Sequence, residues 1–137
     1  MKNVYVLPTD KPSNYVTNYM EQTMQFHNIY ITNDEKIKEG DWVYHKILKS
    51  VFKIDLKEVS QEYIEERKNI LKIILSTDQD LIKDGVQAID DEFLEWFVKN
   101  PSCERVEIGT YHVKGDISGK LHYKIIIPKE EHKQFKK

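Results

Sequence analysis

The chain has 137 residues, a formal charge of −2, a single cysteine (Cys103), and 39% hydrophobic against 32% charged residues. That length supports one ordinary core and is too short for two. The near-neutral charge excludes global attraction to nucleic acid or acidic lipid, and one thiol excludes an internal disulfide or a cysteine-built zinc site.

The apolar stretch near Met1–Pro8 is too short for a signal peptide, and runs such as Ile125–Ile127 are strand-sized rather than membrane-spanning. The expectation is a soluble chain in the cytoplasm, with no membrane partner and no cofactor.

Val4–Leu7 is β-branched and aromatic and predicts a first strand closed by Pro8. Residues 14–26 carry Tyr15, Tyr19, Met20, Met24 and Phe26 at spacings that allow a short helix. Asn28–Thr32 predicts a strand. The polar stretch Asn33–Asp41 ends in Gly40-Asp41, a turn pair that leads into Trp42-Val43-Tyr44. Alternation there sets Trp42 and Tyr44 on one face and Val43 and His45 on the other. Val51–Ile54 predicts the partner strand of a hairpin, connected through Lys46–Ser50.

Ser60–Asn69 is polar and helix-prone, with Ser60 as N-cap. Ile70–Leu75 is a nearly continuous apolar run of strand length, as expected of a strand covered on both faces. Asp90–Asn100 is the main predicted helix. Asp90 and Asp91 stand where a cap is wanted, and Phe93, Leu94, Phe97 and Val98 form an apolar stripe that Trp96 widens. Glu104–Val113 and Lys120–Ile127 flank a glycine-containing loop and predict a hairpin. Pairing symmetrical about Ile117 sets His112 opposite His122 and Tyr111 opposite Tyr123. The end of the chain, 128–137, reads as a flexible tail.

Together these elements imply one α+β domain. Its frame is a bent antiparallel or mixed sheet, or a partly open small barrel, with one main helix and one or two short ones. The core should include Val4, Val6, Ile31, Val43, Ile73, Leu75, Phe93, Phe97 and Ile125.

Three groups of residues could carry function. His112 and His122 would face each other across the hairpin at metal-ligand spacing, but no motif supplies a third ligand, so no metal is assigned. Asp78, Asp80 and Asp84 resemble a sparse calcium loop without its internal glycine or closing glutamate. With Asp90, Asp91, Glu92 and Glu95 they could also form an acidic patch against a basic cleft. A solvated loop and a helix start explain them more simply.

Trp42, Tyr44, Lys46, Lys49, Phe52 and Lys53 combine aromatic faces and lysines, as single-stranded nucleic acid requires. The simpler account is a core aromatic pair with lysines guarding a sheet edge. Cys103 has no motif-linked base, and no nucleophile elbow, phosphate loop or dinucleotide fingerprint is present. A non-enzyme is the expectation.

Three segments carry a resemblance: Val4–Ser13, Ile29–Trp42, and Lys72–Asp78 continuing through Asp90–Phe97. In combination they resemble a family of small uncharacterised proteins of bacterial viruses and mobile elements, chiefly of Bacteroidetes-type hosts. The likeness covers about half the chain and leaves out Asn14–His27 and His45–Asn69. A shared scaffold with divergent stretches implies members that each bind a different partner. It implies an inhibitor of host defence, of the anti-CRISPR type, whose partner is a host protein or ribonucleoprotein such as an RNA-guided type VI effector. A single-stranded nucleic-acid-binding module is the first alternative, and a metal-dependent enzyme at His112 and His122 the second.

Overall fold

The computed structural model describes residues 2–11, 15–19, 23–58, 60, 62 and 69–128, without the side chains of 15–19 and 23–25. The helix expected over Ser60–Asn69 and the tail expected over 128–137 lie almost wholly outside that set.

Among the described residues, nine strands and two short helices follow in order: β1 (Val4–Thr9), β2 (Tyr15–Tyr19), β3 (Thr23–Asn33), β4 (Trp42–His45), β5 (Ser50–Lys53), β6 (Ile70–Ser76), α1 (Gln79–Lys83), β7 (Gln87–Ala88), α2 (Asp91–Lys99), β8 (Glu107–His112) and β9 (Leu121–Ile126). The fold is α+β in the broad sense, but strands dominate, and the main sheet curls into a half-barrel. Its order is β1-β3-β6-β4-β5, with β2 also on β3 and β7 parallel to β6. The β8–β9 hairpin forms a separate two-stranded ribbon.

The 11-residue β3 organises the sheet. β1 runs along one side of it, while β2 and β6 share the other, β2 at its start and β6 at its end. Residues 15–19 and 23–26 are therefore strand and not the short helix that their spacing allowed, while 14 and 20–22 lie outside the described residues. Tyr-Val-Thr-Asn-Tyr is β-branched and aromatic, and that composition outweighs the helical spacing. Pro8 also does not close β1, which runs on to Thr9. The Asn3 carbonyl bonds Thr32 across the ladder, so the even-numbered residues of β1 face away from β3. At Pro8 the missing N–H costs no ladder bond.

The core divides by sheet face. On one face Val4, Ile29, Ile31, Ile74 and Leu75 pack against α2 and the ribbon through Phe93, Leu94, Phe97, Val106 and Ile125. On the other, Tyr5, Tyr30, Tyr44 and Ile73 pack against Leu81 of α1. Val43, Ile37, Ile54 and Ile70 close a third, smaller cluster. Every expected core residue is buried except Val6, which is partly buried against the first cluster.

α2 stands where its sequence placed it. The Asp90 carboxylate accepts the Phe93 N–H at 2.9 Å, and the Asn100 side chain donates to the Trp96 carbonyl at 2.8 Å. Phe93 and Phe97 are stacked and fully buried. Val98 is 59% exposed, so the apolar stripe is narrower than the sequence suggested.

The hairpin register differs by one residue from the symmetrical pairing. Tyr111 lies opposite His122 and His112 opposite Leu121. The eight-residue connection contains a turn closed by Asp116 N–H on the Val113 carbonyl, and Gly115 and Gly119 at φ +88° and +73°. Those positive angles suit glycine and set an even loop length. One residue of slip moves every side chain to the other face, so His112 and His122 point to opposite faces and do not meet.

Candidate functional site

A gap between β4 and β7 along one side of β6 opens a cleft. β4 pairs with β6 only over Ile70–Lys72, and β7 only over Leu75–Ser76. Across the sheet, Thr32 lies opposite Ile73 and Ile31 opposite Leu75, which leaves Ile74 as the extra residue of a β-bulge. The bulge explains why two consecutive residues, Ile74 and Leu75, both enter the same core cluster. Beside it opens a cleft of about 440 Å³, walled by Trp42, Asp84, Gln87, Lys72, Lys120 and Tyr123.

On one wall, two groups that looked separate in sequence neutralise each other. Asp84, the C-cap of α1, accepts the Trp42 indole N–H at 2.9 Å and pairs with the Lys53 ammonium at 2.8 Å. The hydrogen bond from Lys53, and then that from Trp42, hold its carboxyl below the usual range. Asp78 instead caps α1 through the Asp80 N–H at 3.0 Å and accepts the Tyr30 hydroxyl at 2.7 Å. Burial, reinforced by that bond, pushes the Tyr30 phenol up. Asp80 pairs with Lys11 at 3.1 Å on the surface. The three carboxylates thus serve three different partners.

The opposite wall holds residues that the sequence did not single out. Tyr123 donates its hydroxyl to Glu35 at 2.8 Å, and Lys72 reaches Glu35 at 3.3 Å and Asp41 at 3.7 Å. Burial, then the bond to Glu35, pushes the Tyr123 phenol up to about 12. Burial alone would raise Glu35, but bonds from Tyr123, Asn33 and Lys72 outweigh it and leave the carboxyl lowered. Gln87 completes the wall, its amide bonded to both the N–H and C=O of Tyr123. Apart from the local Asn33 bond, these contacts join residues 31 to 88 positions apart, so no local motif announces them.

Tyr44 is only 4% exposed and stacks on Tyr5 at 4.1 Å. A nucleic-acid base would have to displace Tyr5 to stack there. Trp42 is half-buried with its indole tied to Asp84, and Phe52 packs on the third cluster.

Lys46 and Lys49 are placed differently, on the exposed β4–β5 tip. Between them Ile47 and Leu48 are each 68% exposed. The tip is held in shape: His45 Nδ1 accepts the N–H groups of Ile47 and Leu48 at 3.2 and 3.0 Å. The Lys46 N–H donates to the Asn69 carbonyl at 2.7 Å. Lys49 sits at φ +53°, a conformation uncommon outside glycine and asparagine. No described residue pairs with either lysine side chain.

On the ribbon, His122 stacks on Tyr111 at 5.5 Å and lies 3.6 Å from Asp116. The described residues contain no group of three or more His, Cys, Asp or Glu side chains arranged to hold a metal ion. Cys103 is partly buried, its thiol 3.3 Å from the Arg105 carbonyl. No described helix is long and apolar enough to cross a membrane. Comparison with protein-family models, with curated proteins and with solved structures finds no match to this chain.

Proposed function

We propose that this chain is a non-enzymatic binding protein that inserts its β4–β5 tip into an acidic-rimmed apolar pocket of a macromolecular partner. The observation that carries the reading is the pair Ile47 and Leu48, two thirds exposed on a tip that hydrogen bonds hold in one shape. Exposing two large aliphatic side chains side by side is unfavourable in water unless something covers them. A fixed tip also loses little conformational entropy on docking. Lys46 and Lys49, one on each side, supply the complementarity to an acidic rim.

The tip falls within His45–Asn69, one of the two stretches that the likeness to small virus-borne proteins leaves out. A surface that varies on a constant frame suits a protein matched to one particular partner. The partner this likeness nominates is a host defence complex, an RNA-guided effector first among them, bound stoichiometrically in the cytoplasm and inhibited.

The test is a photo-crosslinking residue placed at position 47 of the full chain, exposed in nuclease-treated host lysate. The reading expects a discrete protein adduct that competes away with unlabelled protein and is lost in a Lys46→Glu/Lys49→Glu variant. No adduct, or one indifferent to both controls, would overturn it.

A further inference from the structure

We propose that β8 pairs antiparallel with β8 of a second copy of this chain, about a two-fold axis at Thr110, to join the two ribbons into one four-stranded sheet.

Both the N–H and C=O of Tyr123 bond the Gln87 amide, so they point away from β8. In an antiparallel ladder, residues directly opposite share that alternation. Thr110, opposite Tyr123, therefore turns its N–H and C=O away from β9, and so do Ile108 and His112 two residues to either side. At Val106 the same outward edge is closed by Asn3, whose side-chain amide donates to the Val106 carbonyl and accepts its N–H, both at 2.9 Å. Beyond Val106, no described element pairs with that edge.

The β1 and β5 edges of the main sheet carry protection. β1 has Pro8 on its open side and gives its first amides to the Glu104 carbonyl. β5 is bounded by Lys49 and Lys53. From Ile108 to Val113 there is no proline and no Lys, Arg, Asp or Glu, none of the usual devices against strand addition.

The occupant follows from the register. A two-fold axis at Thr110 sets Thr110 opposite Thr110 of the second copy and Ile108 opposite its His112. Those are the residues whose N–H and C=O face outward, so each strand offers donors where the other offers acceptors. The intervening pair sets Gly109 opposite Tyr111 of the second copy. Glycine leaves room there for an aromatic ring, a cross-strand pairing that rescues an otherwise weak strand position. Tyr111 is exposed in the single chain and available for it.

Sedimentation equilibrium of the full chain from micromolar to several hundred micromolar tests the proposal. The expected limit is twice the 16.3 kDa chain mass. Concentration-dependent protection from hydrogen exchange should appear at the Ile108, Thr110 and His112 amides. Thr110→Pro removes the central donors without touching the β9 ladder and should reduce association at least tenfold. Thr110→Lys sets two ammonium groups against each other at an exposed position and should do the same even if the proline variant folds poorly. A monomer throughout the range, or a dimer unchanged in the lysine variant, would overturn the proposal.

Discussion

Gln87 treats Tyr123 as a neighbouring strand would: its side-chain nitrogen donates to the Tyr123 carbonyl at 2.7 Å and its oxygen accepts the Tyr123 N–H at 2.8 Å. Asn3 does the same for Val106. Two carboxamides, one on each outer edge, thus tie the ribbon to the main sheet. Gln87→Ala leaves a partly buried N–H and C=O unpaired and should cost about 1–3 kcal/mol. Gln87→Glu keeps the size but has no donor for the carbonyl, and should lose a comparable amount. Urea unfolding checks both, and a change below a few tenths would mean that water replaces the amide.

The Glu35–Tyr123 bond gives stability a pH signature. Glu35 is lowered in the folded protein, so its contribution is complete above its unfolded value of 4.5 and fades as pH falls through the lower folded value. Tyr123 is raised from 10.0 to about 12, so its contribution is complete below pH 10 and fades as pH rises through 12. Tyr123→Phe should be less stable than the parent between these limits, and the difference should shrink at both extremes. Urea midpoints across pH 3–6 and 9–12 would reveal it.

Phe97 and Val98 adjoin in sequence and differ in burial. Phe97→Ala should cost about 3–5 kcal/mol through lost burial and the cavity left behind. Val98→Ala should stay within about 0.5 kcal/mol, as exposed substitutions do. Thermal unfolding of the two variants separates them, and equal losses would mean that α2 is rotated about its axis.

What could be read from the residues was local and periodic. The Asp90 cap and the phenylalanine pair announced α2, the apolar run of Ile70–Leu75 announced a central strand, and Gly40, at φ +90°, announced the turn into Trp42. What escaped reading depended on partners far along the chain. The hairpin register turned on the Val113–Asp116 turn, and one residue of slip separated His112 from His122. The bulge at Ile74 follows from β3 pairing, which no feature of β6 alone encodes.

The candidate residues divided for the same reason. Trp42, Lys53 and Asp84 converge because α1 folds back over β4 and β5, whereas Lys46 and Lys49 stay on the tip. Tyr44 belongs by alternation with Trp42 to a candidate nucleic-acid face, but that face of β4 packs against β1 through Tyr5. The exposure of Ile47 and Leu48 has no local signal, because adjacent aliphatic residues in a sequence suggest core.

The most direct measurement of the central claim compares capture from host lysate by the parent chain and by an Ile47→Asp/Leu48→Asp variant, with circular dichroism and urea midpoints for both. Equal folding is expected, because both side chains are already largely in water, together with loss of the captured partner in the variant. A variant that folds equally and captures the same partner in equal yield would contradict the claim that the β4–β5 tip is where this protein binds.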